Sequence, residues 1–313
     1  MTYYTNLNKA FIKKIFDQYD VGEILEYKLL SGGSENTNYR IKTSKDEYIL
    51  TICEQKSVTE ATNLARLLVH LNENKFNTSQ IIQTKNGAWA GDFEGKPLLL
   101  KTFIKGIITP YFSNKQMEKL GSDLAALHTL EAPEFVPRKL GYGIEHFPEA
   151  QTHAPDAPFA KWLKSTTNYI QSFIQDGLPK ALIHGDIFYN NIITNTKTGQ
   201  VTIMDFEEAT YYYRVYDIGM TLVGTCTFDR KLNLEKAQHL LNAYQAKNPL
   251  NQQEKNALQA FTAYAATATA FWRYMNFNFV RPDEAEKDRY KEMQDMAIDV
   301  MEIPAQKFFS AVA

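Results

Sequence analysis

"HGDIFYNNIITNTKTGQVTIMDFEE", residues 184–208, places acidic and amide side chains among apolar runs of the kind a globular chain buries. Two short apolar runs, "NII" and "VTIM", are separated by a segment rich in Asn, Thr, Lys and Gly, which is the pattern of a β-hairpin. Folding that hairpin brings the start of one strand beside the end of the other, so Asn191 and Asp205 meet, with Asp186 on the loop before them. Asp and Asn also form turns on their own, because their side chains bond nearby backbone. That explanation suits Asn190 or Asn195 taken singly. The conjunction is more specific: His-Gly-Asp, an Asn five positions after the Asp, and Asp-Phe-Glu opening fourteen positions after that Asn.

Such a trio suits phosphoryl transfer, which needs alignment and charge control more than covalent chemistry. A hard Mg²⁺ takes oxygen ligands and keeps few protein carboxylates, and Asp205 with the Asn191 amide oxygen meet that demand. Asp186 would accept or orient the proton of an attacking hydroxyl, and His184 would brace the loop by hydrogen bonds. A metal-dependent hydrolase built on Asp186 and Asp205 is a competing reading, but it lacks the further His or carboxylate ligands of two-metal sites.

The rest of the chain narrows the setting. With 313 residues, 44% hydrophobic and 22% charged, it is long enough for one large domain or two ordinary ones. A net charge of −2 gives no electrostatic footprint for nucleic acid or an anionic membrane. The start "MTYYTNLNKAFIKKIF" lacks signal-peptide features, no run reaches the ~20 apolar residues of a spanning helix, and a cytoplasmic protein is expected. The six histidines never pair at HxxxH spacing, and the two cysteines, Cys53 and Cys226, form no metal half-site.

Periodicity changes once along the chain. After a helix over about 7–18, "EILEYKLL", "NYRIKT" and "EYILTI" form an antiparallel meander. A helix follows, with Leu64, Leu67, Leu68 and Leu71 on one face and Ser57 and Glu60 at capping-box spacing. "AWAGDFEG" and "KPLLLKTFI" add two strands. Beyond "IKGIITP" the period becomes helical: Met117, Leu120, Leu124 and Leu127 step by three and four, and Leu258 to Met275 continue that pattern in a helix expected to be buried. The expected fold class is α+β, with a small β-rich lobe over 1–101, a hinge over 102–106 and a larger helical lobe over 107–313, and a ligand cleft between unlike lobes.

With these residues in view, the chain resembles the aminoglycoside phosphotransferase and choline kinase class, small-molecule kinases that share the protein-kinase fold. "LGSDLAALHTL" is similar to that class's Leu-Gly-x-x-Leu-Ala-x-Leu-His helix, and "YDIG" places Asp217 where the family ties down its catalytic loop. The resemblance touches both lobes and implies a bilobal protein-kinase-like fold, ATP and Mg²⁺ as cofactors, and a small-molecule hydroxyl acceptor. Asp186 would be the catalytic carboxylate, Asn191 and Asp205 the metal ligands, and Asp217 a scaffold. A monomer or a homodimer is expected.

In the N-terminal lobe, "SGGSENTN" lies where the family has a phosphate-covering loop. Gly32 and Gly33 would admit backbone amides, with Ser34, Asn36 and Asn38 as further donors. The next strand usually carries a lysine for the α and β phosphates; "YILTI" has Thr51 there, facing away from Tyr48, Leu50 and Ile52. That departure leaves two readings, a binding-only pseudokinase or the homoserine kinases of this fold, which "GGSENTNY" with "YILTI" resembles. Lys42 or Lys56 is either a substitute cation or solvated surface. Glu60 is either the family's ion-pair glutamate or simply a helix cap. Thr102, Phe103 and Ile104 would offer backbone groups to an adenine edge.

Residues 257–281 contain no Asp or Glu, and Arg273 on that helix is either an arginine paired with a carboxylate at the core's edge or a candidate clamp for an acceptor carboxylate. Glu207 and Glu208 are candidates for an acceptor amine, with Tyr211 to Tyr213 as an apolar wall. L-homoserine is the first-choice acceptor. Aminoglycosides, choline and amino sugars are the alternatives.

Overall fold

A computed structural model of the chain describes residues 5–30 and 36–312, with side chains through residue 310. It divides into two compact units, Met1–Lys105 and Gly106–Ala313.

The first unit is a five-stranded antiparallel sheet with two helices. Helix α1 (Lys9–Phe16) precedes β1 (Ile24–Leu30), β2 (Asn36–Thr43) and β3 (Glu47–Cys53). Helix α2 (Val58–Glu73) leads to β4 (Gly91–Phe93) and β5 (Lys96–Thr102), and the strand order is β1-β2-β3-β5-β4. Alternation decides the faces: Tyr39 and Ile41 of β2, Leu50 and Ile52 of β3, and Leu98 and Leu100 of β5 join Ile12, Ile15 and Phe16 of α1 in one core. Asn38 and Thr51 pair directly across β2 and β3 on the other face. Helix α2 begins with the capping box expected of Ser57 and Glu60, each side chain bonding the other's backbone N–H. Glu54, at the end of this sheet, accepts from Lys96, Thr37 and Thr5 and so fixes the chain before α1 to β3 and β5.

The second unit is mainly helical. Helices α3 (Asn114–Leu127), α4 (Pro148–His153) and α5 (Pro158–Gln171) are followed by β6 (Lys180–Ile183). A single 3₁₀ turn, Tyr189–Asn191, enters β7 (Ile192–Thr194), which pairs antiparallel with β8 (Val201–Ile203). Strand β9 (Thr210–Tyr213) pairs with β6, so the tyrosine run is an edge-to-edge partner of the strand before the His-Gly-Asp loop. Helix α6 (Arg214–Thr225), the ribbon β10 (Thr227–Phe228) and β11 (Lys231–Leu232), and helices α7 (Leu234–Gln245), α8 (Gln252–Met275, continued by a π-helical turn over Asn276–Val280), α9 (Tyr290–Glu302) and α10 (Ala305–Val312) follow.

Two glycines let helices touch backbone to backbone. A Cβ on Gly121 of α3 would lie 2.0 Å from the Leu240 carbonyl oxygen of α7, and one on Gly219 of α6 would lie 2.7 Å from the Phe261 carbonyl oxygen of α8. Helix α8, a 24-residue element rich in Ala and Thr, is thereby buried along most of its length. At its N-terminus Glu254 is fully buried and takes two hydrogen bonds from the Arg214 guanidinium at the start of α6. Among the described residues no helix is long and apolar enough to cross a membrane.

Candidate active site

The β7–β8 hairpin carries the geometry that its sequence implies. Ile192 pairs with Ile203, and the ladder extends one step further, because the Met204 N–H donates to the Asn191 carbonyl at 2.9 Å. Asp205 follows immediately, with φ of +68°, a left-handed turn that β-branched residues resist and Asp tolerates. Its neighbour Phe206 is buried and packs on the His184 ring at 4.6 Å between centroids, which fixes the turn from inside.

Asp186 and Asn191 are joined directly. The Asn191 side-chain amide donates to the Asp186 carbonyl at 2.8 Å and to Asp186 Oδ2 at 3.0 Å. An amide has one donor end and one acceptor end, so this bonding directs the Asn191 oxygen away from Asp186. The His184 ring spans the two halves of the site: Nδ1 accepts from the Asp186 N–H at 3.2 Å and Nε2–H donates to the Met204 carbonyl at 2.9 Å. These partners select one tautomer and make His184 a brace between the Asp186 loop and the residue before Asp205.

Beneath the loop, fully buried Asp217 on α6 accepts from the backbone N–H groups of His184 at 2.9 Å and Gly185 at 2.8 Å, and from His128 Nε2 at 3.1 Å. His128 in turn bonds Tyr244 of α7 at 2.8 Å. Burial alone raises the Asp217 carboxyl, but the His128 bond and the nearby His128 and His184 outweigh it, and the group lies below the ordinary aspartate value. Gly185 has φ of +87°, and a Cβ there would meet the Glu208 carbonyl oxygen at 2.7 Å. The Tyr142 hydroxyl donates to the Gly185 carbonyl at 2.7 Å. Burial, followed by the charge of Asp186, pushes its phenol well above the usual value, so it stays a donor.

Gly32, Gly33 and Ser34 lie outside the described residues. Asn36 is buried at the start of β2. The Thr51 hydroxyl donates to Asn38 Oδ1 at 2.7 Å. The N–H groups of Thr102 and Phe103 are committed to the carbonyls of Gln80 at 2.9 Å and Glu47 at 3.0 Å, so the backbone donors of the first two of the three expected adenine-edge residues are already paired. Glu60 sits in its capping box, and the Ser57 bonds hold its carboxyl below the ordinary glutamate value. Glu207 and Glu208 are half-buried just past Asp205, and Glu208 Oε2 comes within 3.0 Å of where a Gly141 Cβ would stand. Arg273 donates to Glu292 Oε2 at 3.2 Å and to the Arg289 carbonyl at 3.3 Å, which is the paired arrangement rather than an open guanidinium.

His128, Tyr142 and Tyr244 were not among the expected site residues. His128 closes the Leu-Gly-x-x-Leu-Ala-x-Leu-His helix, a signal present in the sequence; Tyr142 sits in a loop with no pattern to mark it. Among the described residues no group of three or more His, Cys, Asp or Glu is placed to hold a metal. A set of one carboxylate and one amide oxygen fits a hard cation that completes its shell with phosphate and water, and does not fit a structural zinc.

The chain is similar to known proteins over most of its length. Residues 26–250 match the family model described as "Phosphotransferase enzyme family". A homoserine kinase of Rhizobium johnstonii (strain DSM 114642 / LMG 32736 / 3841) is 26% identical over 276 residues, covering 85% of each chain. Among solved structures, an amicoumacin kinase in complex with AMP-PNP, Ca²⁺ and Ami superposes with a TM-score of 0.74 at 14% identity, covering 98% of both chains. A microcompartment-associated aminopropanol kinase gives 0.72 at 16% identity, over 97% of this chain and 98% of the other. At such identities the structural likeness establishes the protein-kinase-like α+β fold.

Proposed function

Because this chain belongs to the phosphotransferase enzyme family and is a small-molecule kinase, we propose that it transfers the γ-phosphoryl group of ATP to the hydroxyl of L-homoserine in the cytoplasm. The observation that carries the reading is the joining of Asp186, Asn191 and Asp205 by one hairpin and its ladder.

Asp186 receives the hydroxyl proton as the acceptor oxygen bonds to the γ-phosphorus, and the bridging oxygen departs with ADP. The Asn191 amide holds the Asp186 carboxylate in place, and Asp217 holds the loop that carries it. Asp205 and the Asn191 oxygen would hold Mg²⁺, which when bound neutralises phosphate charge. For the nucleotide, Ile104 offers an adenine edge and Asn36 and Asn38 line the β2 side. Glu208, beside Gly141 and the Asp186 loop, is the better placed of the two glutamates for the acceptor's ammonium group. Arg273 acts as a carboxylate clamp only by exchanging Glu292 for substrate. The similarity to homoserine kinases over 85% of both chains supports this acceptor over choline or an aminoglycoside.

Thr51 at the usual lysine position favours a second reading, nucleotide binding without transfer. Steady-state ADP release with Mg²⁺ and a panel of homoserine, choline, aminoglycosides and amino sugars separates the two. Homoserine is expected to give the highest kcat/KM. A higher value for another hydroxyl compound reassigns the acceptor, and nucleotide binding with no acceptor-dependent turnover supports the binding-only reading.

A further inference from the structure

The lysine missing from β3 leaves a question about what binds phosphate in its place, and the cross-strand pair at that position supplies an answer. Asn38 and Thr51 stand directly opposite in the β2–β3 register, on the face away from the core of α1. Thr51 is 1% exposed, so its hydroxyl is not presented outward, and it donates to Asn38 Oδ1 at 2.7 Å. Asn38 is only half-buried.

An asparagine side chain is ambivalent: one end accepts and the other donates, and a rotation of the amide exchanges them. An oxygen turned toward phosphate would repel it. Because the Thr51 hydroxyl donates to that oxygen, Oδ1 faces Thr51 and the two N–H donors of Nδ2 are left for another partner. Two residues along the same face, the Arg40 guanidinium is bound to Glu47 and lies 4.4 Å over the Phe103 ring, so it is already occupied there rather than directed at Asn38.

We propose that Asn38, oriented by Thr51, is the neutral donor that contacts a nucleotide phosphate where related kinases use a lysine. This rests on the nucleotide-binding reading above and deepens it. Asn38 touches the nucleotide; Thr51 is a positioning residue that acts through it. An amide carries no charge, so the contact adds direction without the long-range attraction of an ammonium group.

The test measures Mg²⁺·AMP-PNP binding by titration calorimetry, together with the KM values for ATP and the acceptor, in wild type and in Thr51→Val, Thr51→Ser and Asn38→Asp. Valine keeps the shape of threonine and removes the proton, so nucleotide Kd and ATP KM should rise about fivefold, the worth of one neutral hydrogen bond, with the acceptor KM unmoved. Serine should restore wild-type affinity. Asn38→Asp keeps an acceptor for Thr51 but turns an anion toward phosphate, and should weaken binding at least about tenfold. Because Asn38 is half-buried, this variant keeps the test open should Thr51→Val fail to fold. Wild-type affinity in Thr51→Val, or no rescue by serine, overturns the pairing while leaving the kinase reading intact. A wild type that binds no nucleotide overturns both.

Discussion

At the residue scale, Asp217 shows how much a single buried carboxylate can hold in place. It accepts from two successive backbone N–H groups and from His128, with no exposure to solvent. Removing it leaves those donors buried without a partner, so Asp217→Ala should destabilise the protein by about 3–5 kcal/mol in urea unfolding. Asp217 and Glu54 both have folded pKa values below their ordinary ones; at Glu54, burial opposes the shift while the bonds from Lys96, Thr37 and Thr5 prevail. A depressed carboxylate contributes stability that is present above its unfolded value and lost as pH falls through its folded value. The urea midpoint should therefore hold at neutral pH and decline below the ordinary glutamate value of 4.5 and then the ordinary aspartate value of 3.8, with Glu54→Gln removing part of the decline. A midpoint that rises on acidification would contradict this assignment. The sequence exposed the polar residues of this site because several fall within one short segment. It did not expose Tyr142 or Tyr244, whose roles depend on partners 43 and 116 positions away in the chain.

At the scale of elements, local patterns were readable and distant pairings were not. The β7–β8 hairpin follows from two apolar runs around a turn, and the capping box of α2 from two residues three apart. The β6–β9 pairing carries no such local signal, because Tyr211–Tyr213 reads as an apolar wall of the acceptor site and its partner strand lies across the whole catalytic segment. Helix contacts through glycine are equally silent in sequence. Gly121→Ala would drive a methyl group into the Leu240 carbonyl and force α3 from α7. A loss of about 1–3 kcal/mol is expected from such overpacking, measured by thermal or urea unfolding. Gly185→Ala combines a positive φ with a clash against Glu208, so it should displace the Asp186 loop. Its expected signature is a fall in kcat larger than its fall in stability accounts for. Unchanged turnover would show that the loop tolerates the shift.

At the scale of the whole molecule, the change from a period of two to a period of 3.6 marks a β-rich stretch before a helical one, and the chain divides into two compact units at Lys105 and Gly106. The acceptor was far less legible. Glu208 and Gly141 come from segments that no local pattern links, and Arg273, in an acid-free stretch of sequence, pairs with Glu292 of α9. Phosphoryl transfer from ATP to homoserine with Asp186 as the proton acceptor is tested most directly by ³¹P NMR of reactions containing ATP, Mg²⁺ and L-homoserine. Wild type should convert the γ-phosphate signal into a phosphomonoester of homoserine with matching ADP. Asp186→Asn should bind nucleotide normally and form that ester about 10²–10⁴-fold more slowly. No phosphomonoester from wild type, or equal rates in the two proteins, would contradict the claim.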